Sequence, residues 1–250
     1  MQKSRFYRSN PLKTKGNVLF LILIAVMLFA ALTAAITKSN QGGANMSKER
    51  GSINASDVMA YGATMEKTVT RMLSGDMSES ALSFENPVWE YYNGDPVETA
   101  SLFTNCTSDA CKVFNPAGGG MTAQAFGEQS IASPAGTDVR SGHGMVYALA
   151  VSGVGTAEQD LVLMIAVIDR DTCMAINNSL KIANPGSNPP GDSWDGAVLY
   201  DGTFSSAADA TGEIGDIATG IAGKFGGCIH RDGGAYGAQD NYFYQVLLPR

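Results

Sequence analysis

Val18 to Ile36 reads VLFLILIAVMLFAALTAAI, an apolar run without a charged side chain. As an α-helix rising about 1.5 Å per residue it would reach about 28 Å, close to the ~30 Å hydrocarbon core of a bilayer. Lys3, Arg5, Arg8, Lys13 and Lys15 precede it, and no acidic residue occurs before Gly16. The positive-inside rule then predicts that this end stays cytoplasmic and that everything after about Lys38 lies outside.

Three fates of such a segment follow from its flanks. Thr33-Ala34-Ala35 offers a small-residue cleavage site for a secretory signal, although the run exceeds the ~7–15 residues of an ordinary signal core. An uncleaved transmembrane anchor is the plainest reading of the length. The third fate turns on where the charges stop: a basic leader ends in Lys15-Gly16, and the apolar helix follows at once from Asn17.

That arrangement resembles the precursors of type IV pilins and pseudopilins. The resemblance implies cleavage by a prepilin peptidase between Gly16 and Asn17, N-methylation of Asn17, and an apolar helix that stays on the mature chain. Val18, Leu19, Phe20, Leu21, Ile22, Leu23 and Ile24 would open the assembly helix. It further implies a single-pass inner-membrane subunit with its head in the periplasm or on an extracellular filament. The implied partners are other pilin-like subunits and an inner-membrane assembly platform. Most family members carry glutamate at the fifth mature position and an aromatic at the first. Here those positions hold Leu21 and Asn17, which points to a minor or atypical member.

Beyond the leader and apolar run, some 200 residues remain, enough for one domain with its own core. The formal charge is −7, and the five basic residues of the leader leave −12 from Asn17 onward. So acidic a chain excludes a phosphate-backbone binder, and no nucleic-acid partner is expected. Charged residues make up 16%, and 29 glycines are present, a composition suited to a loop-rich extracytoplasmic domain.

The four cysteines, Cys106, Cys111, Cys173 and Cys228, all follow the apolar run. They allow three pairings. Cys106 with Cys111 is favoured because the short polar segment between them closes easily on itself, which leaves Cys173 for Cys228 across a long loop. No Cys-x-x-Cys occurs and neither histidine lies at ligand-like spacing, so disulfides are expected rather than zinc.

The expected organisation is a leader at 1–16, a transmembrane and assembly helix at 17–37, a linker at 38–55 and a head at 56–250. Within 38–55 the glycines Gly42, Gly43 and Gly51 leave open a loosened part of one long helix. From Ser56 the apolar residues Val58, Tyr61, Met65, Val69, Met72 and Leu73 recur at steps of three and four, predicting an amphipathic helix to about Ser74. Residues 77–143 read as an insertion. Met145 to Ser152 and Leu161 to Asp169 read as an antiparallel pair, and Tyr242 to Leu248 as an edge or closing strand. Asp171 to Ile182 has helical spacing. The expected fold is therefore α+β: a long N-terminal helix, half membrane-spanning and half amphipathic, packed on a small antiparallel sheet with disulfide-tied insertions.

Little in the sequence points to catalysis. No Gly-x-Ser-x-Gly or His-Glu-x-x-His occurs, and His143 and His230 sit among glycines and polar residues. Asp192, Asp195 and Asp201, in the Gly-rich stretch from Pro189 to Ala238, are candidate calcium ligands; their spacing fits no EF-hand, and a solvated acidic loop is the plainer reading. No other cofactor is expected. Trp89, Tyr91, Tyr92 and Trp194 could anchor a partner or plug a thin core. The expected function is that of a structural, non-enzymatic pilin-like or pseudopilin-like subunit. The alternative is a secreted or membrane-anchored module that binds a ligand through the Pro189 to Ala238 stretch.

Overall fold

Ala55, Val58, Gly62, Met65, Val69 and Met72 recur at steps of three and four, and every one of them is buried. This is the spacing that lays one helix face on a core. In the structure, a computed structural model, they lie on helix α1, Val18–Leu73. Residues 18–75, 77–88, 103–127, 142–192, 198–204, 212–218, 220–231 and 241–250 are described, with side chains at all of these except 18–19 and 34–45. The chain divides into two compact units, Met1–Met46 and Ser47–Arg250.

The stretch 38–55 is helical within α1. Gly51 is placed there by packing: a Cβ at this position would lie 3.1 Å from the carbonyl carbon and oxygen of Asp171. Gly62 plays the same part further on, where a Cβ would stand 3.0 Å from the ring of Phe243. The helix ends where Gly75 N–H donates to Met72 O at 3.2 Å.

The second unit is built on a seven-stranded sheet. Its strands are β1 (Gly144–Val151), β2 (Asp160–Ile165), β3 (Gly191–Asp192), β4 (Val198–Leu199), β5 (Glu213–Ile214), β6 (Gly226–Arg231) and β7 (Asn241–Leu248). They run in the order β3-β6-β7-β2-β1-β4, with β5 pairing β1. Pairing is antiparallel except for β3 with β6 and β5 with β1, which are parallel. Helix α2 (Arg170–Ser179) starts at Asp169, whose carboxylate accepts the amides of Asp171 and Thr172 at 3.0 and 3.1 Å. That is ordinary N-capping chemistry.

Alternate residues of each long strand enter separate cores. Val146, Ala148, Leu161, Leu163, Ile165, Cys228, Phe243 and Leu247 join the apolar face of α1, together with Cys173 and Ile176 of α2. Met145, Leu149, Val162, Met164, Ile229, Tyr242, Tyr244 and Val246 point the other way, onto Ile182, Ile214 and Ile221. The period of two thus sorts one sheet into two packed faces.

Two expectations are corrected. The sheet is neither small nor purely antiparallel, and β7 lies at its centre between β6 and β2 rather than at an edge. Its run NYFYQVLL is buried on both faces, and a near-continuous apolar strand of this kind belongs inside a sheet. Among the described residues, moreover, no helix is long and apolar enough to cross a membrane. The single-pass inner-membrane placement is therefore not supported. An α+β plan of a membrane-crossing helix on a small antiparallel sheet does not describe this molecule.

The cysteines pair as Cys106–Cys111 and Cys173–Cys228, with Cα separations of 5.6 and 5.3 Å. The first closes a loop inside the insertion. That insertion also supplies core: Leu82, Phe84, Phe103, Val113 and Phe126 are buried with the α1 face. Ser83 and Cys111–Val113 bind it together, Ser83 N–H donating to Cys111 O and Val113 N–H to Ser83 O, both at 2.9 Å.

Candidate functional site

The processing residues Gly16 and Asn17 lie outside the described residues, as do Asp195, Trp89, Tyr91, Tyr92 and Trp194. Val18 and Leu19 open α1. From Phe20 to Leu32 every large apolar side chain is exposed, from Ile24 at 40% to Phe29 at 76%. Successive residues of a helix are turned by about 100°, so exposure at Phe20, Leu21, Ile22, Leu23 and Ile24 in turn leaves no sheltered side. Nothing polar interrupts this surface, because the run contains no charge.

The two described calcium candidates, Asp192 and Asp201, each hold groups of the chain itself. Asp192 is buried on β3, and its Oδ2 accepts Gly215 N–H at 2.7 Å. Asp201 turns back on its own chain, accepting Thr203 N–H at 3.0 Å and the Thr203 hydroxyl at 2.5 Å. Among the described residues no group of three or more His, Cys, Asp or Glu could hold a metal ion. His230 Nδ1 faces Asn241 Oδ1 at 3.2 Å, a contact inside the β6–β7 pair.

An open groove of about 710 Å³ runs beside α1 in the second unit. Asp57, Ala60, Tyr61, Thr64 and Thr68 form one wall, and the segment from Gly119 to Gln124 forms the other. Two side chains of α1 reach across to that segment. Arg71 donates to Gly119 O at 2.7 Å, and the Tyr61 hydroxyl donates to Thr122 O at 3.3 Å. The Tyr61 ring meets Phe126 edge-on at 5.4 Å, and burial pushes its phenol above the usual tyrosine range. The groove is polar, with hydroxyls and one carboxylate on the helix side.

A second polar cluster gathers around Arg250. Its guanidinium pairs with Glu79 at 3.1 Å and Glu158 at 3.5 Å and lies 4.1 Å above the ring of Phe204. Its amide donates to Asp160 Oδ1 at 2.9 Å, and Val151 N–H donates to Asp160 Oδ2 at 3.1 Å. Asp160 is fully buried, and desolvation raises its carboxyl to about 6. The cluster ties β1, β2, β7 and the 3₁₀ turn at Glu79–Ala81 to one another.

The sequence reading overlooked Asp160 and Asn177. An acid directly before the apolar run LVLMI and an asparagine on the buried side of a helix were the available signals. No protein-family model, curated protein or solved structure matches the chain.

Proposed function

We propose that this chain is a structural, non-enzymatic subunit of pilin-like or pseudopilin-like character, which assembles by packing its apolar N-terminal helix against the helices of other subunits. One observation carries the reading: Phe20 to Leu32 is apolar and exposed all round. A helix of that kind is stable only when neighbours surround it. Covering its ten exposed large side chains contributes on the order of 10–20 kcal/mol before the costs of association are subtracted.

The rest of the chain suits a head that is carried rather than one that reacts. Its sheet is packed on both faces, its cysteines are paired, and its insertion is bound into the core. The Lys15-Gly16-Asn17 junction supplies the processing point for a prepilin peptidase. Leu21 then needs no charged partner inside a bundle of packed helices, which agrees with a minor or atypical position. The implied partners are other pilin-like subunits and an assembly platform.

The test is the Gly16→Ala variant in the native host. It is expected to leave a larger precursor on a gel, while the natural chain yields a mature N-terminus at Asn17. Normal processing of Gly16→Ala overturns the reading.

The groove between α1 and the Gly119–Gln124 segment favours a second reading, an exported ligand-binding module. A mature N-terminus near Ala34 would select it, because the apolar helix would then be gone.

A further inference from the structure

The two disulfides differ in what surrounds them. Cys173 and Cys228 are fully buried. Cys111 is buried as well, but Cys106 is only half-buried, and its neighbours Thr104, Asn105 and every residue from Thr107 to Ala110 are exposed. Opening a disulfide takes a thiolate that reaches one sulfur and pushes off the other. Cys106 Sγ offers that approach, with Cys111 Sγ as the leaving atom. The sealed Cys173–Cys228 bridge does not.

The open form has a place ready for it. Ser108 O lies 2.7 Å from Cys111 Sγ and 3.4 Å from Cys106 Sγ, within reach of the S–H that either sulfur carries once the bridge is broken. The loop is also short, with a separation of 5 residues against 55 for the other bridge, so opening it frees little chain.

The two ends of the loop are docked on different neighbours. Ahead of Cys106, Asn105 Nδ2 donates to Gly202 O at 3.3 Å, and Phe103 is buried in the core. Beyond Cys111, Lys112 O accepts Gly119 N–H at 2.9 Å and Val113 O accepts Met121 N–H at 3.1 Å. Packing there leaves no slack. A Cβ at Gly118 would stand 2.8 Å from Ala110 O and 2.9 Å from Asp109 O, and one at Gly119 would stand 2.7 Å from the Val113 backbone. Because Gly119 to Gln124 is the outer wall of the groove beside α1, a displacement of residues 109–113 passes straight into that wall.

We propose that Cys106–Cys111 is a redox modification site, opened by a dithiol reductant while Cys173–Cys228 stays closed, and that its opening loosens the Gly119–Gln124 wall of the groove. The reductant's thiolate bonds to Cys106 Sγ, and Cys111 Sγ departs with the electrons of the broken bond and takes up a proton. The reductant's second thiol then displaces Cys106 Sγ, leaving two protein thiols and a reductant oxidised to its own disulfide. The device goes beyond both readings of the chain, since it needs neither assembly through α1 nor a ligand in the groove.

Titration of the full-length protein with dithiothreitol tests it, the thiols being trapped with iodoacetamide and located by peptide mass spectrometry. Cys106 and Cys111 are expected to label at a dithiothreitol concentration at least about tenfold below the one that labels Cys173 and Cys228. At that point hydrogen exchange at the Gly119 and Met121 amides should be faster by about tenfold, the scale of one lost hydrogen bond, with Leu163 in the sheet's interior unchanged. Reoxidation with glutathione disulfide should restore both amides.

Labelling of all four cysteines together, or of Cys173 and Cys228 first, overturns the site. Unchanged exchange at Gly119 and Met121 overturns its link to the groove, and equal loss at Leu163 makes the bridge an ordinary structural staple. The double variant Cys106→Ser/Cys111→Ser fixes the open form without reductant. It should show the same faster exchange at Gly119 and Met121, and its failure to fold overturns the proposal.

Discussion

Phe20–Leu32 and Ala55–Met72 are both apolar stretches of α1, yet they use their apolar side chains in opposite ways. The later stretch spaces them by three and four, and all of its core-facing members are buried against the sheet. The earlier one sets them without a period, and all are exposed. Periodicity shows that a helix finds its partner within its own chain. A run that is apolar on every side calls for neighbours on every side.

Paired substitutions break this contrast most sharply. Met65→Ala empties a buried site and should cost about 2–5 kcal/mol, measured by denaturant unfolding of the head. Met27→Ala should leave that unfolding curve in place and weaken self-association, read by sedimentation. Equal effects of both on unfolding would erase the distinction.

The two disulfides offer a similar contrast within the head. Cys173–Cys228 spans 55 residues and Cys106–Cys111 spans 5, so chain entropy predicts about 4 and about 2 kcal/mol respectively. Replacing each pair by serine and comparing unfolding midpoints checks the order.

Gly51 sharpens the comparison at its boundary. On an isolated helix, Gly→Ala is favourable by about 1 kcal/mol. Here the added Cβ meets the Asp171 backbone at 3.1 Å, so Gly51→Ala should lower stability by about 1 kcal/mol. A gain would mean that α2 yields easily at this contact.

A last expected effect concerns pH. The Asp160 carboxyl is raised from 3.8 to about 6 in the folded chain, so the fold binds this proton more tightly than the unfolded state does. Its contribution is fully present below about pH 3.8 and is lost as pH rises through about 6. Asp160→Asn should flatten the fall in stability across that window, as followed by thermal melts from pH 4 to 7.

What the sequence disclosed follows the same division. The β1–β2 hairpin, α2 and the amphipathic part of α1 were legible because apolar period and local structure agree there. The pairing of Cys106 with Cys111 was legible because so short a loop closes readily. β6 was hidden, because GGCIHR opens with two glycines that read as a break. Their reason is tertiary: a Cβ at Gly227 would stand 2.9 Å from Ile182 and 3.0 Å from Tyr244. The two-residue strands β3, β4 and β5 carry too few side chains to show any alternation.

The candidate sites were harder still. Asp192 looked like a ligand for an ion, and the structure uses it to hold the amide of Gly215. Asn177 looked like any polar residue of a short helix, since its partner Cys228 lies 51 residues away. Long-range polar pairs leave no periodic trace in a sequence.

The central place of β7 has a consequence for how the head is made. A ribosome must deliver β7 before β2 and β6 can be bridged, so a nascent head carries two open edges until translation reaches Asn241–Leu248. Losing that stretch to a premature stop would leave two half-sheets with nothing to join them.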